Sequence, residues 1–274
     1  MSSRYSEAET EQFYDEEDAI YRSFWDAEGS LHWGYFDGTS DDNFLGASVR
    51  LDEVMAAKGG IDAGAHVLDL GCGNGVTARW LASTYGCRVT GIDLSSVRVN
   101  NAMDMMAAEP DDLRRLVRFE HGSATAMPFG DGEFTHVWSQ ATIYHVPDKE
   151  TALQESRRVL AKGGLLVLDD LLKPNPDVSA ESRRYVYDRL LFDTPFSFTG
   201  YQDYLKSIGF DILEAEDLSA YLRRSYVMLG EKAARYASGE LEEKLTALNF
   251  AYGKMVEAID RSELGWGLYI AQAS

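Results

Sequence analysis

The stretch that decides the reading of this chain is Val67-Leu68-Asp69-Leu70-Gly71-Cys72-Gly73-Asn74-Gly75. An apolar run carrying one acid is followed at once by three glycines at alternate positions. Glycine lets a backbone turn tightly and come close to a bound molecule. Val76 to Tyr85 then reads as a helix, so the loop aims the amides of a helix N-terminus at its ligand. Strand, glycine turn and helix, in that order, open an α/β unit that holds a nucleotide or cofactor.

Spacing separates the candidate cofactors. The dinucleotide fingerprint needs a third glycine three residues after the second, and from Gly73 that position is Val76. Asp69 just before the glycines repels a pyrophosphate and attracts a cationic amino-acid group. S-adenosylmethionine carries an ammonium and a sulfonium and no phosphate. Cys87-Arg88-Val89-Thr90-Gly91-Ile92-Asp93 comes next, and Asp93 ends a second apolar strand, where an acid can accept from both ribose hydroxyls. Asp-x-Gly-x-Gly-x-Gly with an acid closing the next strand resembles the class I S-adenosylmethionine-dependent methyltransferases. The resemblance implies that Asp69, Gly71, Gly73 and Gly75 hold the methionine end and that Asp93-Leu94 hold the ribose.

The chain has 274 residues and a net charge of −19, with a pI near 4.6. So acidic a surface repels nucleic-acid phosphates and anionic membranes, and no basic patch offsets it. Its partner is therefore expected to be a small-molecule substrate. Oligomeric state is left open, a homodimer included. The two cysteines, Cys72 and Cys87, lack metal-ligand spacing; they point to no metal and to a reduced, cytoplasmic compartment. The N-terminus is unlike a signal peptide, and no apolar run is long enough to cross a bilayer.

Along the chain, strands are expected at His66–Leu70, Arg88–Ile92, Val117–His121, Phe134–Ser139 and Gly164–Asp169, with helices at Val76–Tyr85, Ser96–Ala108 and Thr151–Leu160 between them. That alternation predicts an α/β fold, a doubly wound, mostly parallel sheet. Phe210–Leu218 and Leu264–Gln272 bring the strands to seven. Further helices are expected at Glu11–Trp25, Phe44–Ala57, Val178–Leu191, Gly200–Ile208 and, broken near Gly239, Ser225–Ile259. The chain reads as one domain: a lid segment (1–45), a cofactor-binding core (60–172), a helical cap with late core elements (173–262) and a closing strand (263–274).

Ligands in such sheets sit beyond the carboxyl ends of the strands. Gln140, Tyr144 and His145, after the fourth strand, are thereby placed near the reacting methyl, with His145 able to orient a substrate or take a proton. Phe13-Tyr14, Trp25 and His32-Trp33-Gly34-Tyr35-Phe36-Asp37 narrow the family. They resemble the sarcosine/dimethylglycine N-methyltransferase, phosphoethanolamine N-methyltransferase and tocopherol C-methyltransferase group. Implied by that resemblance are Tyr14 and Tyr21 lidding the site, Tyr21 and Tyr144 contacting substrate, Trp33 and Tyr35 lining the cofactor, and a Tyr14–His145 catalytic pair. Ser123-Ala124 are implied against adenine, although an acid commonly stands where Ser123 is. Ala141 also departs from the group, which often has an acid there for a substrate ammonium.

Asp169-Asp170 read as a helix cap, with metal ligation as the alternative. Arg223-Arg224 read as a solvated helix face, with a substrate carboxylate as the alternative. The expected reaction is methylation of a small molecule, an amine first, with carbon, oxygen or sulfur as alternative acceptors. The rivals from other classes are a nicotinamide-dependent oxidoreductase, disfavoured by Val76 and Asp69, and a non-catalytic binding protein.

Overall fold

The central strands are apolar on both faces, which is why the sequence shows runs instead of alternation. Val67, Trp138 and Val167 enter one hydrophobic core, while Leu68, Val137, Leu166 and Leu168 enter a second. Successive strand residues face opposite sides, so a sheet covered on both faces needs an unbroken apolar strand. The computed structural model describes residues 4–26, 28–30, 32–38 and 43–274; the side chains of 17–21, 23, 24 and 240 fall outside it. The expectation for Tyr21 as a lid and substrate residue lies there.

Helices α1 (Glu7–Phe24) and α2 (Phe44–Gly59) precede β1 (His66–Leu70). Then come α3 (Val76–Tyr85), β2 (Arg88–Asp93), α4 (Ser96–Ala107), the single turn α5 (Asp111–Arg114), β3 (Val117–His121) and β4 (Phe134–Gln140). A 3₁₀ turn at Ile143–His145 leads to α6 (Lys149–Val159) and β5 (Leu160–Leu172). The chain continues through α7 (Ala180–Ser182), α8 (Phe198–Ser207), β6 (Phe210–Asp217), α9 (Ser219–Tyr236), α10 (Glu242–Asp260) and β7 (Gly265–Ala273). Asn43 caps α2 by accepting from the Gly46 amide at 2.6 Å, and Ser95, Asp148 and Ser197 cap α4, α6 and α8 in the same way.

The seven strands form one sheet in the order β3-β2-β1-β4-β5-β7-β6. β1 to β5 run parallel to one another, and β7 runs antiparallel between β5 and β6. Residues of α2, α3, α4, α9 and α10 fill the first core and those of α6 and α8 the second. Chain order reverses at β1, between β2 and β4, which is where open α/β sheets bind ligands. Register pairs Leu70 with Ile92 and Ser139, and Asp93 with His121, so four strand ends open on one site.

Helix α1 begins four residues and α9 six residues earlier than expected, the turn α5 was not expected, and two further elements differ in kind. β5 extends to Leu172, so Asp169 and Asp170 lie inside a strand and cap nothing. The helix expected over 178–191 is reduced to α7 and a single π turn at Arg183–Tyr187. Glu263 is the reason: it accepts from the Ser179 amide and hydroxyl and from the Ser182 hydroxyl, while its carbonyl takes the Tyr187 hydroxyl at 2.5 Å. These bonds pin the segment to the start of β7 in place of a regular helical ladder. None of the described helices is long and apolar enough to cross a membrane.

Candidate active site

The glycine loop has the shape its composition implies. Gly71, Gly73 and Gly75 all take left-handed φ values of 77°, 52° and 73°. At Gly71 a Cβ would meet the Thr142 side chain at 2.3 Å, so only glycine lets β1 turn against the end of β4. Asp93 ties the loop to β2: one oxygen accepts from the Gly73 amide and the other from the Ser95 amide, each at 2.8 Å. Gly71, Gly73, Asp93 and Ser95, with Asp69, Leu94, Asn74 and Arg98, line a cavity of about 130 Å³.

Asp69 supplies the electrostatics of that cavity. It is 3% exposed, and its Oδ2 has no hydrogen-bond partner. Burial first, then the nearby Asp93 and Asp52, push its carboxyl up to about 8. An unpaired buried carboxylate is costly unless a cation joins it. The donor set therefore fits a ligand with an ammonium at the end of β1 and a hydroxylated ring at the end of β2.

The end of β4 shapes the far wall. Ala141 leaves the strand at a left-handed φ of 51°, donating its amide to the Asp169 carbonyl at 3.2 Å. The following turn is held by Asp170, which accepts from the Tyr144 amide at 2.9 Å and the Tyr201 hydroxyl at 3.0 Å. His145 thereby reaches the cavity edge. Gln140 is held from behind, its amide donating to Asp52 at 2.8 Å while its carbonyl takes a long bond from Thr77 at 3.4 Å. Asp52 in turn lies 3.6 Å from His32.

Helix α1 closes over this cavity. Tyr14 packs edge-on against His145 with ring centres 5.0 Å apart, and the Arg98 guanidinium lies 4.2 Å from the Tyr14 ring. The Ser95 hydroxyl donates to Asp15 at 2.5 Å. Glu7 accepts from the Ser123 and Thr125 hydroxyls.

Comparison with known proteins decides the family. A methyltransferase domain model matches residues 68–168. The chain is 34% identical to 27-O-demethylrifamycin SV methyltransferase of Amycolatopsis mediterranei over 81% of this chain and 80% of that one. The chain is an S-adenosylmethionine-dependent methyltransferase. It is also 29% identical to a sarcosine/dimethylglycine N-methyltransferase of Halorhodospira halochloris, over 98% of both. Its fold superposes on a mycolic acid cyclopropane synthase crystallised with S-adenosylhomocysteine, at a TM-score of 0.86 and 16% identity over 98% of each chain.

The methyltransferase has a second, inner cavity of about 40 Å³ beside the first, lined by Phe13, Trp25, Trp33, Tyr144, Arg189, Leu190, Tyr226 and Tyr252. Tyr14 and His145 line both cavities. Burial, then Lys149, Arg98 and Arg189 by charge, hold the His145 imidazolium pKa well below its ordinary value, so the ring is neutral. Its Nδ1 is buried without a hydrogen-bond partner, as is Trp33 Nε1.

Of the residues singled out in the sequence, Tyr14, Asp69, Gly71, Gly73, Asp93, Leu94, Ser123, Ala124, Gln140 and His145 line the larger cavity, and Tyr144 lines the inner one. Gly75 shapes the loop by opening α3 and does not line it. Trp33 faces the inner cavity instead of the cofactor side, because its ring is wedged against Trp266, at 5.4 Å, and Tyr226. Tyr35 lines neither cavity: its hydroxyl donates to Glu216 at 2.8 Å and its ring packs on Tyr221. Asp169 accepts from Trp266 Nε1 at 2.7 Å, and no metal-binding cluster occurs among the described residues. Arg223 pairs with Asp260 on the surface and Arg224 lies over Phe36, so neither reaches the site. The sequence reading missed Glu7, Asp52, Arg98 and Arg189. Arg98, three residues past the cap Ser95 and thus in the first turn of a helix that follows the ribose acid, had a usable signal; the others sit on distant elements.

Proposed function

We propose that this methyltransferase N-methylates a small amine bearing a carboxylate, an acceptor of the amino-acid type. The observation that carries the reading is His145 Nδ1, buried and unpartnered in a neutral ring, in the wall that the two cavities share. With the ring proton on Nε2, Nδ1 accepts an N–H and leaves the amine lone pair directed toward the cofactor side. No carboxylate lines the inner cavity among the described residues, so a charged ammonium finds no counter-ion and desolvation favours the neutral, nucleophilic amine. Arg189 gives the same cavity a cation matched to a carboxylate. The small volume suits a compact acceptor.

The cofactor would supply an electrophilic methyl on a sulfonium leaving group, and Asp69, the glycine loop and Asp93 would hold it. What the protein adds is position and exclusion of water. Tyr14 and His145 form the partition across which the acceptor nitrogen is presented, and His145 steers the amine proton. The likeness to a sarcosine/dimethylglycine enzyme supports the amine.

A radiolabelled methyl-transfer screen tests the reading with glycine, sarcosine, dimethylglycine, carboxylate-free amines and alcohols as acceptors. Labelled amino acids are expected, with Arg189→Leu raising KM about tenfold or more and changing kcat less. Inert amino acids beside a methylated alcohol would sink it. A second reading, O-methylation of an apolar hydroxyl compound, is favoured by the aromatic walls and by Trp33 Nε1, a buried donor suited to a hydroxyl oxygen.

A further inference from the structure

The cofactor cavity crosses three strand ends in spatial order, and each end meets a different part of the ligand. Asp69 at β1 suits the ammonium and Asp93 at β2 suits the ribose. The base therefore lies toward β3, the next strand outward in the sheet. An adenine there presents an exocyclic amino group, a donor that needs an acceptor. The loop after β3, Gly122-Ser123-Ala124-Thr125, holds no carboxylate of its own.

A carboxylate is nevertheless present, and it comes from 116 residues away. Glu7, at the start of α1, lines the cavity. Its Oε1 accepts from the Ser123 hydroxyl at 2.5 Å and from the Thr125 hydroxyl at 3.1 Å. Ser123 Oγ also accepts from the Thr125 amide at 3.0 Å. Two loop hydroxyls thus fix a lid-borne carboxylate over the base end of the cavity. Glu11, the other α1 acid lining it, lies 3.9 Å from His121, which itself meets the Leu94 carbonyl.

We propose that Glu7 selects adenine: its carboxylate accepts a hydrogen bond from the exocyclic amino group of the cofactor's base, beside those it takes from Ser123 and Thr125, so that the base steadies helix α1 over the cavity. Tyr14, two turns along α1, is a wall of both cavities, so the helix that meets the base also walls the acceptor side. A 6-oxo base turns acceptor lone pairs toward the same carboxylate and is rejected.

Calorimetry with S-adenosylhomocysteine and S-inosylhomocysteine on the full chain tests this without turnover. The parent is expected to prefer the adenosyl ligand by about tenfold or more. Glu7→Gln is expected to collapse that preference, since its amide still accepts from Ser123 and Thr125 but also offers an N–H to a 6-oxo group. Glu11→Gln is expected to leave the preference intact. Limited trypsin cleavage at Arg22 gives an independent readout, with S-adenosylhomocysteine protecting the parent more than Glu7→Gln. Equal affinity of the parent for both ligands would overturn the proposal. So would a Glu7→Gln variant that loses affinity for both in equal measure, which is the behaviour of a residue that only props the helix.

Discussion

At the scale of single residues, the cofactor role proposed for Asp69 would link the fold to the ligand through one proton. The Asp69 carboxyl is pushed up to about 8 in the free protein, from an ordinary value of 3.8. A raised acid stabilises the fold below the unfolded pKa and loses that contribution as pH rises through the folded one, here from about pH 4 to about 8. A ligand ammonium favours the ionised form, so binding expels the proton. Affinity for S-adenosylhomocysteine should therefore rise with pH, by up to about tenfold per unit between roughly pH 6 and 8, and then level off. Asp69→Asn should flatten the profile; a flat profile in the parent would refute the account. Asp69, Gly71 and Asp93 were legible because each is needed by a loop a few residues long. Glu7 and Arg189 were not, because they reach the site through packing between elements far apart in the chain. Trp33 and Tyr35 show the converse: both are aromatic and stand within the segment read as the lid, yet the folded loop turns one to the inner cavity and the other to Glu216.

At the scale of elements, the strands and helices from α2 to β4 followed from hydrophobic period and caps, to within a residue or two, while α1 begins four residues before the expected Glu11 and the single turn α5 was not foreseen. The cap segment after β5 did not, since its shape rests on Glu263. Burial alone would raise the Glu263 carboxyl, but hydrogen bonds from Ser182, Ser179 and Arg261 bring it down to about 2. A lowered acid contributes stability above its unfolded pKa, near 4.5, and loses it as pH falls toward 2. Glu263→Gln should then cost about 1–3 kcal/mol at neutral pH, measured by denaturant unfolding. The gap between variant and parent should narrow only below about pH 4. An unchanged midpoint would mean that the π turn at Arg183–Tyr187 is held by its aromatic packing alone.

At the scale of the whole molecule, charge and topology make separate demands. A net charge of −19 over 274 residues leaves much like-charge repulsion in the folded state. Salt in the range of about 0.1–1 M shortens the screening length to roughly 10–3 Å, so Tm should climb with sodium chloride; a falling Tm would show that the surface ion pairs outweigh the repulsion. The placement of β7 bears on how this chain comes to be folded at all. Gly265–Ala273 is the last element in sequence but sits inside the sheet, between β5 and β6. During synthesis, at about 5–20 residues per second, the parallel half from β1 to β5 can assemble while β6 has no strand to join. Only when β7 emerges does the sheet gain its outer edge, and with it the anchor from Glu263 to the cap. The inner cavity, whose walls include Arg189 and Leu190 just past the segment that Glu263 anchors, is thus completed only after the parallel half of the sheet.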